Sequence, residues 1–226
     1  MDVGFILDSS GSLRREYSKE KDFLKALAAT FGVSSDDSRA GVVTFSYDAE
    51  HSIKLKDHSD ILSFNNAVDK IFLMGSTTRI DKALRLAQKE LFSLSNGGRP
   101  GIPKLLVLLT DGSQTPGADV EEPAQIANEI RKSGIRLLVI GIGKGVSMTE
   151  LLKIGASREN VYSADSFNTL ISGEFIDDIV KTGCSAGKEI NLVSYFFDVE
   201  RYFCLQMCYE IRFVKKSSQR YSPLFN

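Results

Sequence analysis

Residues 3–12 read VGFILDSSGS, an apolar run that ends in a short polar turn. The apolar part shows no alternation of polar and apolar side chains, which is typical of a strand covered on both faces. The same pattern recurs at 39–45 (RAGVVTF), 104–110 (KLLVLLT) and 135–142 (IRLLVIGI). The sequence therefore predicts several strands buried inside one sheet.

Segments with the apolar spacing of helices separate these strands. The predicted helices cover residues 14–31, 61–71, 80–91, 120–133, 148–154 and 166–182. An edge strand is predicted at 51–56 and a last strand at 160–163. Because buried strands alternate with helices, we expect an α/β fold with a doubly wound, mainly parallel sheet flanked by helices on both faces.

The composition limits the organisation and the partners of the chain. It has 226 residues, 42% of them hydrophobic and 25% charged, as in globular domains. A formal net charge of −1 predicts no nucleic-acid partner, and the absence of a long apolar run predicts no membrane insertion. We expect one domain at 1–184 and an aromatic-rich C-terminal appendage at 185–226. The three cysteines, all after residue 183, define neither a disulfide framework nor a zinc site.

Three polar clusters are predicted to share one edge of the sheet. Asp8, Ser10 and Ser12 follow the first strand at alternate positions, Thr77 precedes the third helix, and Asp111 follows KLLVLLT. Sites in such sheets form at the carboxyl ends of the strands, so these five side chains are expected to converge. Oxygen donors with only two carboxylates suit Mg²⁺, and less selectively Mn²⁺ or Ca²⁺. Such a shell leaves room for the carboxylate of a partner.

Each cluster also has a purely structural interpretation. Ser12 could cap the first helix, and Asp111 with Gly112 could form only a turn at the end of a strand. Thr78 is predicted to cap the third helix, because Asp81 three residues later completes a capping box, which leaves Thr77 available as a ligand. Three such clusters at one edge favour the metal site.

DSSGS after a strand, GSTT before a helix and LLTDG after a central strand together resemble the von Willebrand factor A (VWA) domain. The similarity covers about residues 2–182 and looks closest to matrilins and A-domain collagens. The resemblance implies a Rossmann-like fold and a metal-ion-dependent adhesion site, abbreviated MIDAS. It implies that the metal ligands are Asp8, Ser10, Ser12, Thr77 and Asp111.

The resemblance also implies a function. The domain would bridge a divalent cation to an acidic residue of a protein partner, such as a collagen-like or other matrix protein, in the extracellular matrix or in cell adhesion. We then expect a secreted protein of which this chain is a fragment, since no signal peptide precedes the first strand. It further implies that the last helix, with Ile171, Phe175 and Ile179 on one face, can slide along the sheet.

Two other functions stay open on the sequence. One is an intracellular VWA scaffold within a multi-protein complex. The other, less favoured, is a metal-dependent hydrolase. We expect no enzyme, because the sequence contains no GxxxxGK[ST] phosphate loop and no evident Ser-His-Asp or Cys-His set.

Overall fold

The computed structural model describes residues 1–34, 37–170 and 173–184. Six strands of these residues form one sheet in the order β3-β2-β1-β4-β5-β6. The strands are β1 (Asp2–Asp8), β2 (Arg39–Phe45), β3 (Ala49–Ile53), β4 (Lys104–Thr110), β5 (Ile135–Ile142) and β6 (Val161–Ala164). Only the pair of β2 and β3 is antiparallel within this sheet. The predicted doubly wound, mainly parallel α/β fold is confirmed.

Seven α-helices are described between and after the strands. They are α1 (Tyr17–Thr30), α2 (Ile61–Asp69), α3 (Ile80–Leu86), α4 (Pro123–Lys132), α5 (Met148–Gly155), α6 (Phe167–Leu170) and α7 (Gly173–Cys184). Shorter turns are 3₁₀ at Gly11–Arg15, Leu94–Asn96 and Arg158–Asn160, and a π turn at Ala87–Leu91. None of the described helices is both long and apolar enough to cross a bilayer.

Several predicted elements differ from the structure; among them, the helix expected from residue 120 begins at Pro123, and the one expected at 80–91 is α3 followed by the π turn. The first helix, expected from residue 14, is preceded by the 3₁₀ turn and begins at Tyr17. The edge strand lies at 49–53 instead of 51–56. The last predicted helix is two helices, α6 and α7, and Ile171 of its apolar face lies outside the described residues, as does the predicted appendage at 185–226.

The sheet separates two apolar cores. Phe5 and Leu7 of β1 point into the core shared with α1, α2, α6 and α7. Ile6, between them, points into the opposite core shared with α3, α4 and α5. Successive side chains of a strand face opposite sides, so a strand with a core on each side is apolar at every position. This explains the unbroken apolar runs of the sequence.

Glycine in the two strands nearest α3 lets the helix segment approach the sheet closely. A Cβ atom on Gly4 would lie 2.5 Å from Leu91 Cδ2, and one on Gly41 would lie 3.0 Å from Leu91 Cδ1. Leu91 is fully buried and ends the π turn that follows α3. The missing side chains thus allow the π turn after α3 to pack closely against β1 and β2.

The amino edge of the sheet is closed by an ion pair. Asp2 is fully buried at the start of β1. Its Oδ1 accepts a hydrogen bond from Arg99 Nε at 2.8 Å, and its Oδ2 accepts one from the Arg99 backbone N–H at 2.7 Å. The Arg99 Nη2 also donates to the Met1 carbonyl. The buried carboxylate therefore has a positive partner and two direct hydrogen bonds.

Helix α7 ends near the same amino edge. A Cβ atom on Gly183 would lie 2.9 Å from Leu105 Cδ2 and 3.3 Å from the Phe31 ring, so the end of α7 packs close to these side chains. Leu105 is the second residue of β4, and Phe31 follows the end of α1. Both described ends of the chain, Met1 and Cys184, thus lie at the edge where the parallel strands begin.

Candidate metal site

The polar turn after β1 forms the floor of the candidate site. Asp8 is fully buried and Ser10 is 2% exposed. The Ser10 backbone N–H donates to Asp8 Oδ1 at 2.9 Å, which folds the turn back onto the carboxylate. The Ser9 N–H donates to the Phe45 carbonyl, and the Gly75 N–H donates to the Ser9 carbonyl. The turn is therefore held between the end of β2 and the loop that precedes α3.

Four of the five predicted ligands belong to one hydrogen-bonded cluster. Ser10 Oγ and Ser12 Oγ are 3.1 Å apart, and Ser12 Oγ donates to Asp111 Oδ1 at 2.9 Å. On the floor, Thr110 Oγ1 donates to Asp8 Oδ2 at 2.6 Å. Ser12 is exposed and Asp111 is half-buried, so the cluster opens to solvent on that side. The Ser12 hydroxyl thus points to Asp111, not to a helix end.

The fifth position has two candidates. Thr77 is exposed, and no hydrogen bond of the described residues joins its side chain to the other four; only its carbonyl is engaged, by Ser46 Oγ at 2.9 Å. Thr78 is 9% exposed, and its Oγ1 lies 3.5 Å from where a Cβ atom on Gly112 would be. Gly112 directly follows Asp111. The burial and this proximity favour Thr78 for the position that the sequence assigned to Thr77.

The predicted cap at Thr78 is wrong. Helix α3 begins at Ile80, and the side chain of its N-cap residue Arg79 makes no capping hydrogen bond. The backbone of Thr78 is used elsewhere, because its N–H donates to Thr115 Oγ1 and its carbonyl accepts from the Thr115 N–H. Tertiary pairing with the loop after β4 therefore overrides the local capping pattern.

A buried ion pair that sequence analysis missed fixes the two loops beside the site. Arg79, 5% exposed, donates through Nε and Nη2 to both oxygens of Asp81, at 2.9 and 2.8 Å. Its Nη1 donates to Asp119 Oδ2 at 3.0 Å. Burial acts to raise the pKa of Asp81, but the Arg79 hydrogen bonds hold it below its ordinary value. The start of α3 is thereby tied to the loop that carries Asp111.

The two site carboxylates lack such a positive partner. Burial raises the pKa of Asp8 to about 6 against the hydrogen bonds from Thr110 and Ser10, which lower it, and the nearby Asp111 charge adds to the rise. Burial also raises the pKa of Asp111, although the Ser12 hydrogen bond lowers it. Among the ion pairs of the described residues, none includes Asp8 or Asp111. A divalent cation would supply the missing charge.

A third buried carboxyl group lies below the cluster, and sequence analysis missed it. Glu20 of α1 is fully buried, and neither carboxyl oxygen has a hydrogen-bond partner among the described residues. Burial raises its pKa well above the ordinary value, and the charges of Asp8 and Asp111 add to the rise. Glu20 stands three residues from both Tyr17 and Phe23, on the apolar face of α1. That spacing was a signal available in the sequence.

The donor set suits a hard cation. All of the clustered groups are carboxylate or hydroxyl oxygens, the ligands that Mg²⁺ and similar ions prefer. The described residues contain no group of three or more His, Cys, Asp or Glu side chains that could hold a metal. The fit to a metal therefore depends on the serine and threonine hydroxyls that complete a site with two carboxylates.

A doubly wound sheet with carboxylates and hydroxyls gathered at the carboxyl ends of its strands is typical of α/β domains that bind a cation there. The chain belongs to the von Willebrand factor type A domain family, whose sequence profile matches residues 2–177. The chain is 33% identical over 189 residues to the mouse collagen alpha-6(VI) chain, across 83% of this chain and 8% of that one. It is 30% identical over 177 residues to mouse matrilin-3, across 75% of this chain and 35% of that protein.

Solved structures of a mussel byssus protein share this fold. Proximal thread matrix protein 1 superposes with a TM-score of 0.75 at 27% identity, across 81% of this chain and 48% of that one. A second structure of that protein, with a zinc-occupied MIDAS motif, gives a TM-score of 0.71 at 28% identity, across 82% and 45%. The chain thus spans less than half of these relatives. The family predicted from DSSGS, GSTT and LLTDG is confirmed.

Proposed function

We propose that this domain binds one divalent cation, Mg²⁺ in the first place, and uses it to hold an acidic residue of a protein partner. The main support for this proposal is that Ser10, Ser12 and Asp111 form a chain of hydroxyl and carboxylate contacts above the buried Asp8. Two carboxylates with raised pKa and no positive partner make this edge a place where a cation is stabilised.

The proposed ligands divide into a floor and an open side. Asp8 and Ser10 are buried and rigidly placed, whereas Ser12 and Asp111 reach solvent. The fifth ligand is Thr78 in place of Thr77, on the burial described above. When bound, the cation offers a Lewis-acidic contact for a carboxylate oxygen. Because Ser12 is exposed and Asp111 half-buried, a carboxylate of a partner can approach this contact from their side.

The proposed role is binding in the extracellular matrix, not catalysis. Its support is the similarity to a collagen VI chain, to matrilin-3 and to a byssus thread matrix protein. The chain covers only part of each of these proteins, so the partner is defined here by chemistry alone: a protein segment that presents a carboxylate.

Calorimetric titration of the full chain with Mg²⁺ and with Mn²⁺ tests the proposal. Wild type should bind one ion, and Asp8→Asn should lower the affinity at least about 100-fold, since even residues that only support a metal site typically contribute 10–100-fold. Asp165→Asn is the control, because Asp165 is exposed just after β6. Equal affinity of wild type and Asp8→Asn would refute the site.

A further inference from the structure

Exposed apolar side chains stand beside the candidate site. Phe72 is 86% exposed and Met74 is 38% exposed. Their loop is fixed to the polar turn, because Ser9 Oγ donates to the Phe72 carbonyl at 3.3 Å and accepts from the Met74 N–H at 2.7 Å. Ser9 precedes the predicted ligand Ser10. These apolar groups are therefore held next to the site and belong to the surface that a partner would meet.

Arg14 is a cation on the same side of the site. It is exposed and lies two residues after Ser12 in the 3₁₀ turn. Its Nη2 lies 3.8 Å from where a Cβ atom on Gly75 would be, and the Gly75 carbonyl lies 3.2 Å from where one on Gly11 would be. Gly11 stands between Ser10 and Ser12. The guanidinium group is thus separated from the proposed ligands by one loop.

Arg14, like Arg15 and Lys144, is an exposed cation that occurs in none of the ion pairs of the described residues, whereas other cations around this edge are paired. Lys19 pairs with Glu16, Lys82 pairs with Asp48, and Arg79 pairs with Asp81 and Asp119. The fork of N–H donors of Arg14 matches a carboxylate. A partner can therefore gain a second charge contact beside the cation.

We propose that the partner presents two carboxylates, one for the cation and a second for Arg14. This inference rests on the proposed function and adds the chemistry of the partner. An exposed ion pair alone adds little affinity, but it selects partners by charge and orientation. A segment with a single acidic residue would gain only the cation contact.

Small carboxylates provide a probe for this arrangement. The full chain is saturated with Mg²⁺ and titrated with acetate and with the dicarboxylates from succinate to suberate, followed by NMR shifts of its backbone amides. At least one dicarboxylate should bind about fivefold tighter than acetate, a modest gain in keeping with one exposed ion pair. The chain length that binds best reports the distance from the cation to Arg14.

Two matched variants decide the assignment. Arg14→Ala should lower the affinity for the best dicarboxylate to that for acetate. Arg15→Ala should leave it unchanged, since Arg15 is equally exposed and has no described contact with the Gly75 loop. Equal binding of acetate and all dicarboxylates to wild type, or an unchanged preference in Arg14→Ala, would overturn the inference while the metal site stands. Carboxylate binding that does not need Mg²⁺ would instead refute the proposed function.

Discussion

Strand β1 begins and ends with a fully buried aspartate, and the two carboxylates have different partners. Asp2 pairs with Arg99, which gives its carboxylate a positive partner. Asp8 receives hydrogen bonds from Ser10 and Thr110, and no cation of the described residues pairs with it. Burying a charge without a partner is costly. The buried charge at the amino end of the strand is therefore neutralised within the described residues, whereas the one at the carboxyl end, where we propose the cation site, is not.

Breaking the ion pair at the amino end of β1 should have the largest effect on stability. Asp2→Asn leaves the Arg99 guanidinium without its carboxylate, so the free energy of unfolding should fall by about 2–4 kcal/mol. Urea denaturation measures the loss, and calorimetry should show an unchanged affinity for Mg²⁺. A variant with wild-type stability would mean that the pair at the amino edge contributes nothing.

Binding of Mg²⁺ at the carboxyl end of β1 should change the stability by a similar amount in the opposite direction. Mg²⁺ at about 100 times its dissociation constant should raise the free energy of unfolding of wild type by about 2.7 kcal/mol. Asp2→Asn should gain the same increment, whereas Asp8→Asn, with its affinity lowered at least about 100-fold, should gain at most about 0.4 kcal/mol at that concentration. Thermal melts with Mg²⁺ and with EDTA measure these increments, and an equal rise in all three proteins would point to a different ion site.

Glu20 tests whether the carboxyl end carries excess negative charge. Because burial raises its pKa in the folded state, Glu20 destabilises the fold least below the unfolded pKa of about 4.5, and its cost grows as the pH rises toward the folded value. Glu20→Leu should therefore stabilise the metal-free protein by about 1–3 kcal/mol, and by more at about pH 7.5 than at about pH 5.

The matched variant Glu20→Gln separates charge from polarity in this measurement. It should remove the contribution of Glu20 to the pH dependence, but an unpartnered amide would remain buried, so the gain near pH 5 should appear only with Leu. Urea denaturation in EDTA at both pH values provides the data. A loss of stability in Glu20→Leu at both pH values would show that Glu20 has a stabilising partner.

The smallest effect concerns the two adjacent threonines. Thr78→Val keeps the shape of the side chain and removes its hydroxyl, so the Mg²⁺ affinity should fall about 10-fold. Thr77→Val, at the exposed neighbour, should leave the affinity within about twofold. Calorimetry on both variants distinguishes them, and the reverse result would restore Thr77 as the ligand.

The sequence predicted the structure best where the pattern of one buried strand is enough to place a feature. The bounds of β4 were predicted correctly because KLLVLLT is apolar on both faces, and Asp8 and Asp111 come together because each lies at the end of a parallel strand. The edge strand β3 begins two residues and ends three residues earlier than predicted, since its half-exposed pattern is weak and its register with β2 shifts between Val42 and Val43.

Long-range contacts explain what the sequence did not reveal. Arg79 bonds to Asp119, which is 40 residues away, and Thr78 bonds to Thr115. No local pattern in the sequence indicates either contact. The capping-box pattern around Thr78 is a short-range preference of small energy, about 1 kcal/mol. Such a preference yields when the neighbouring loop competes for the same backbone groups.

The position of the two described ends of the chain has a mechanical consequence. Met1 lies at the amino edge of the sheet beside the pair of Asp2 and Arg99, and the end of α7 lies at the same edge, near Leu105 and Phe31. A pulling force that acts through these two points would load the amino edge of the sheet first. The opposite edge, where we propose the cation site, would stay unloaded. A tether attached at either point would therefore stay clear of the edge where we propose that the cation and the partner bind.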